Sequence, residues 1–151
     1  MRRWIAMALF LMAAVSASAQ SAPGPTIVKP MALQWNPFMP GIELAVLSGD
    51  PTKAGPYTIR LRVADGTKIA PHWHPEDENV TVMRGVFMAG MGDKFDDAGL
   101  QELPAGSYVL MPKNMHHFAK ASGQTVLQLH GQGPFVINYV NPEDDPAKAK
   151  K

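Results

Sequence analysis
Apolar and polar residues alternate with a period of two through much of the chain. Residues 57–63 put Tyr57, Ile59, Leu61 and Val63 on one face and Thr58, Arg60 and Arg62 on the other, then stop at Asp65-Gly66. This is the signature of a half-buried strand ended by a turn. Further short apolar runs occupy 42–47, 80–83, 86–91, 108–111, 118–121, 125–130 and 135–140, and almost every connection holds Gly, Pro or Asp. No segment keeps a 3.6-residue apolar period over three turns. Many short, evenly spaced strands in one small chain predict an all-β domain, a sandwich or a closed barrel. Trp35 and Phe38 are expected to pack an N-terminal strand against it.

The ends break the pattern. Met1-Arg2-Arg3 is positive, residues 4–15 are mostly apolar, and Ala17-Ser18-Ala19 offers a small-residue cleavage site. That is the anatomy of a secretory signal peptide over residues 1–19. The apolar run falls short of the ~20 residues a membrane span requires. The expectation is therefore an exported protein, periplasmic or secreted, with no membrane anchor once the signal is removed. Residues 20–30 read as a flexible leader, 31–140 as the folded domain and 141–151 as a fraying polar tail.

Composition narrows the chemistry. Lys+Arg number 14 and Asp+Glu 13, so the chain lacks the basic surface that binding nucleic acid demands. There is no Cys, which excludes disulfides, thiolate metal sites and a cysteine nucleophile. The seven methionines beyond residue 19 are expected to be soft core fillers.

The candidate chemistry lies in the histidines, all five of which fall between residues 72 and 130. In His72-Trp73-His74, a strand would project both imidazoles to one side and Trp73 to the other. Pro75-Glu76-Asp77 makes a turn, and Glu78 opens the next strand on the face of Val80 and Val82. Two imidazoles and a carboxylate thus converge from adjacent strands, a donor set common at transition-metal sites.

The spacing around these residues goes further. Gly66, five residues, His72-x-His74, three residues, Glu78, six residues and Gly85 resemble the first cupin motif at every fixed position. Gly106, five residues, Pro112, one residue, Asn114, two residues and His117 resemble the second. Asn114 stands where that motif has Gly, and Asn tolerates left-handed geometry best among the alternatives. Ala121 stands where it has Asn, which is expected to cost a turn contact. Together with HPEDE, PAGSYVLMP and QLHGQGP, the chain is most similar to single-domain bacterial cupins of the ChrR-like sort.

The resemblance implies an antiparallel jelly-roll barrel, the double-stranded β-helix, holding one divalent transition metal (Fe, Mn, Ni, Cu or Zn). By position it implies the ligands His72, His74, Glu78 and His117. The motif count selects His117 over His116, which then faces outward or sits in the turn, while Ala119 and Ala121 share the face of His117.

The surroundings leave alternatives open. Gln128 and His130 share one face of their strand and Leu127 and Leu129 the other. Either the polar pair faces the cavity as substrate-contacting, catalytic groups, or the leucines do and the polar pair is solvated. Arg60 and Arg62 read as a solvated face, and as an anion clamp only if turned inward. Tyr108 is either a phenolic acid or packing. The leading functional expectation is a metalloenzyme acting on a small-molecule substrate, dioxygenase-type first and isomerase or lyase second. The alternative is a non-catalytic metal- or ligand-binding sensor. A homodimer rests on analogy with open jelly-roll edges.

Overall fold
A computed structural model describes residues 24–148. The stretch expected to be a signal peptide, the first part of the expected leader and the last three residues lie outside the described residues. Nine strands form one curled antiparallel sheet: β1 (Asn36–Met39), β2 (Ile42–Ser48), β3 (Gly55–Val63), β4 (Lys68–Trp73), β5 (Glu78–Met91), β6 (Gln101–Pro104), β7 (Tyr108–Met111), β8 (His117–Gly133) and β9 (Asn138–Tyr139). Among the described residues no helix is long and apolar enough to cross a membrane.

The alternation in β3 is realised as read. Tyr57, Ile59, Leu61 and Val63 are buried, while Arg60 and Arg62 lie on the outer face. The barrel is organised by β8, which pairs with β5 along most of its length. On its other side it meets β4 at its start and β3 at its end. Its inward residues Ala119, Ala121, Leu127 and Leu129 join Ile59, Leu61, Val80, Val82, Phe87 and Met111 in one core. Each buried large aliphatic chain contributes about 1.5–3 kcal/mol.

Two sequence-based boundaries are corrected. The runs 80–83 and 86–91 belong to the single strand β5, and 118–121 and 125–130 to β8. Gly85 lets β5 continue. It has φ 78°, the register shifts on either side of Arg84, and a Cβ would sit 2.7 Å from the Gln124 carbonyl oxygen. A positive-φ residue here makes a bulge within the ladder, not a turn that ends it. The run 135–140 is a strand only at Asn138–Tyr139. The polar segment after it opens with a 3-10 turn, Pro142–Asp144, capped by the Asn141 side chain.

The second motif's departures are both accounted for. Asn114 has φ 62°, the left-handed geometry expected at its Gly position. Ala121 takes part in the turn through its backbone. Its N–H donates to Thr67 O and its carbonyl accepts from Gly66 N–H, while its methyl is buried in the core. The nearby turn is tied by Asp65, whose carboxylate accepts from Gly123 N–H at 2.7 Å.

The methionines are not uniformly core fillers. Met111 is buried and Met39 packs at the core's edge, but Met31, Met83, Met91 and Met115 are exposed. Their positions on outward faces and loops outweigh their hydrophobicity. Trp35 meets the barrel through the Arg62 guanidinium, 4.6 Å from its ring centroid, and Phe38 stacks on Phe135 at 6.2 Å.

Candidate metal centre
The end of β4, the start of β5 and the start of β8 meet at one end of the barrel. His72 is register-paired with His117, and Glu78 with Met111 at the end of β7. His74 follows β4 by one residue. The three imidazoles cluster tightly, with ring centroids 4.2 Å (His72–His117), 5.0 Å (His72–His74) and 5.3 Å (His74–His117) apart. One nitrogen of each ring lies within 4.8 Å of the others. All three histidines and Glu78 are buried.

The backbone sets the tautomers. His72 Nδ1 is 2.8 Å from Ala70 O, His74 Nδ1 2.7 Å from Val136 O and His117 Nδ1 2.9 Å from Met115 O. A carbonyl oxygen can only accept, so each Nδ1 carries the hydrogen and, in the neutral ring, each Nε2 presents a lone pair. Nε2 of His74 and of His117 are buried with no hydrogen-bond partner. Buried polar atoms are rarely left so, and an unfilled coordination position is a physical reason for it. The Glu78 carboxylate lies between them, Oε1 3.5 Å from His74 Nε2 and Oε2 3.7 Å from His117 Nε2. Two ligands on one small cation are about 3.0–3.4 Å apart for metal–ligand bonds near 2.1 Å, close to these two separations.

Burial governs the charges. It pushes the His72 pKa down to about 3, helped by the positive potential of His117 and His74. Burial also lowers His74 and His117, so the imidazoles are neutral. Burial raises Glu78 to about 7, although His117 pulls the other way. Neutral imidazoles and a carboxyl poised to ionise form a donor set that a divalent cation would complete.

The centre is enclosed. On the barrel side lies a cavity of about 30 Å³ with His72, Glu78 and His117 at its polar end. At the mouth, Phe135 stacks on His74 (5.2 Å, 18°), and Tyr139 lies 6.2 Å from His72 with its hydroxyl on Met39 Sδ. Tyr57 packs on Phe135 at 5.7 Å, and burial together with the charge of Glu78 holds its phenol up at about 12. Phe135, Val136 and Tyr139 were not singled out by sequence. Only tertiary pairing of β9 with β4 brings them here.

The other expectations separate cleanly. His116 points outward and pairs with Asp93 at 2.6 Å, so the motif register holds. Gln128 and His130 do not line the inner cavity, which corrects the alternative that turned them toward it; the solvated alternative is the one realised. Gln128 accepts from Arg60 Nε at 3.1 Å on the outer face, and His130 is exposed. Leu127 and Leu129 hold the inward positions because burying two leucines outweighs what a polar pair gains there. Arg62 pairs with Glu43 at 2.6 Å, so the arginines form an outer face and no anion clamp. Tyr108 is neither cavity acid nor core packing. It is exposed and donates to Asn79 Oδ1 at 2.6 Å.

Comparison with solved structures shows the fold. A polyketide cyclase, RemF from Streptomyces resistomycificus, superposes with TM-score 0.63 at 16% identity, covering 81% of this chain and 89% of its own. KdgF from Halomonas sp. gives 0.58 at 18% identity over 74% and 96%. A salicylate 1,2-dioxygenase variant from Pseudoaminobacter salicylatoxidans, in complex with gentisate, gives 0.51 at 19% over 63% of this chain and 26% of that one. A comparison with curated protein sequences gives no match. The sequence profile of the ChrR Cupin-like domain matches residues 23–136. With both cupin motifs in place around one buried cluster, the chain belongs to the ChrR cupin-like family.

Proposed function
We propose that this chain is an exported metal-dependent enzyme acting on a small-molecule substrate. Dioxygenase-type chemistry leads, with isomerase or lyase chemistry behind it. His72, His74, His117 and Glu78 are its ligands for one divalent transition metal, drawn from Fe, Mn, Ni, Cu and Zn. The observation that carries the reading is the pair of buried, unpartnered Nε2 atoms facing the Glu78 carboxylate. The export component rests on the arginine-led apolar N-terminus and its Ala-Ser-Ala site.

A bound cation would supply Lewis acidity, lowering the pKa of a bound enol or water, and open positions for ligand exchange. The chain's own residues do the rest. Backbone carbonyls of Ala70, Val136 and Met115 orient the three imidazoles. Phe135 and Tyr139 shield the centre from bulk water. Glu78 is the one carboxyl in contact with the cavity and can hold a proton on its Oε atoms.

One observation favours the non-catalytic alternative. The titratable groups lining the inner cavity are His72, Glu78 and His117, all ligands, with no separate acid or base beside them. A sensor needs none.

The test is dioxygen uptake by metal-reconstituted protein over a panel of small enolisable carbonyl compounds, beside a His72→Ala/His74→Ala control. Substrate-dependent uptake that the control lacks supports the enzyme. Metal bound stoichiometrically, with no turnover of any carbonyl by uptake or by product analysis, supports the sensor.

A further inference from the structure
The space beside the donor cluster is very small. The inner cavity of about 30 Å³ has His72, Glu78 and His117 at one end, and Phe87, Met111 and Leu129 among its apolar walls. One water needs about 10–15 Å³ of such space, so the cavity holds one or two water-sized molecules. A benzene-sized guest occupies an apolar cavity on the order of 150 Å³. The walls are part of the packed core, with Phe87, Met111 and Leu129 all buried. Dense cores do not open freely.

Outside the mouth lies a larger pocket of about 590 Å³ lined by Phe135, Ile137 and Tyr139, but none of the four donor residues reaches it. The pocket bounded by His74, Glu78, Tyr57 and Phe135 measures about 10 Å³. Phe135 lies nearly parallel to His74 and covers one face of that imidazole.

We propose that this centre admits ligands of up to about three non-hydrogen atoms, of the dioxygen or azide class, and excludes rings, with Phe87 and Met111 setting the limit. The inference deepens the metal-centre reading and rests on it. A dication with the Glu78 carboxylate carries one net positive charge, and no other charged side chain lines the cavity. Neutral and singly negative ligands therefore match it. In an oxygen-consuming reaction the inner space is the dioxygen side.

The experiment uses the full chain loaded with Co(II), whose visible bands report changes at the metal. Azide is the small probe, and imidazole, a neutral ring that binds cobalt well in solution, is the large one. Metal content is measured throughout. Azide should shift the bands and saturate, while imidazole binds at least about tenfold more weakly. Phe87→Ala removes one ring's volume from the wall and should let imidazole in without loss of azide binding. Met111→Ala serves as the second variant should the first not fold. Imidazole binding to the wild type as tightly as azide overturns the proposal, as does a centre that takes neither probe. Wild-type exclusion of imidazole that neither variant relieves overturns the role of Phe87 and Met111. Failure to take up cobalt or any other transition metal overturns the metal-centre reading itself, and is distinguishable because no band appears before any probe is added.

Discussion

Replacing Glu78 by Gln should change the pH dependence of stability in the metal-free protein, in a direction opposite to ordinary surface carboxylates. Glu78 is buried, and its pKa is raised from 4.5 to about 7. A raised folded-state pKa means that folding favours the protonated form. The contribution is fully present below about 4.5 and is lost as pH rises through 7. At 1.36 kcal/mol per unit, the whole shift is worth about 3 kcal/mol, of which about 2–3 kcal/mol falls between pH 5 and pH 8. Gln keeps the shape and cannot ionise. Its unpaired amide atoms cost about 1–3 kcal/mol, but that term does not vary with pH. The depressed histidines run the other way, losing stability as pH falls below 6.5; His72 and His74 act alike in both proteins, while His117 loses the upward pull of the Glu78 charge in the variant. The assay is urea unfolding of chelator-treated wild type and Glu78→Gln at pH 5 and pH 8. Between these values the wild type should lose about 2–3 kcal/mol relative to the variant. Adding metal at pH 8 should restore the wild type by far more than the variant, because the ionised carboxylate then has a cation to bind. A wild-type-minus-variant difference that stays constant with pH would refute the reasoning.

Other perturbations test particular parts of the account. His117→Ala should lose most of the bound metal, whereas His116→Ala, removing an exposed ring paired with Asp93, should keep it; equilibrium dialysis with elemental analysis decides. His130→Ala and Gln128→Ala should leave metal content and any activity unchanged, since both side chains lie outside the barrel, and loss of turnover in either would return it to the site. Gly85→Ala forces a left-handed backbone on Ala and drives a Cβ to 2.7 Å from the Gln124 carbonyl. It should cost about 2 kcal/mol or more and lower Tm by roughly 8 °C in a thermal melt.

The parts legible in the sequence are those where one local rule had no competitor. Period-two alternation fixed both faces of β3, because Arg60 and Arg62 have no partners inside the barrel. Motif spacing placed His72, His74, Glu78 and His117, and the choice of His117 over His116 is realised as the His72–His117 register pair. Alternation along β8 separated Gln128 and His130 from Leu127 and Leu129 but could not say which pair faced inward. That was decided by the number of apolar groups already inside. Gly85 and Gly123 looked like strand ends because positive-φ glycines serve turns and bulges alike. Phe135 and Tyr139 carried no signal. Phe135 lies far along the chain from the His74 it covers, and only folding brings them together. The size of the inner cavity is likewise a property of packing, which no residue spacing encodes.

The central claim is that three imidazoles and a carboxylate form a transition-metal site. Elemental mass spectrometry of the protein prepared without affinity-tag histidines tests it most directly, with His72→Ala/His74→Ala prepared in parallel. The account predicts close to one equivalent of Fe, Mn, Ni, Cu or Zn in the wild type and none in the control. A wild type that stays metal-free after reconstitution with each of these ions would contradict it.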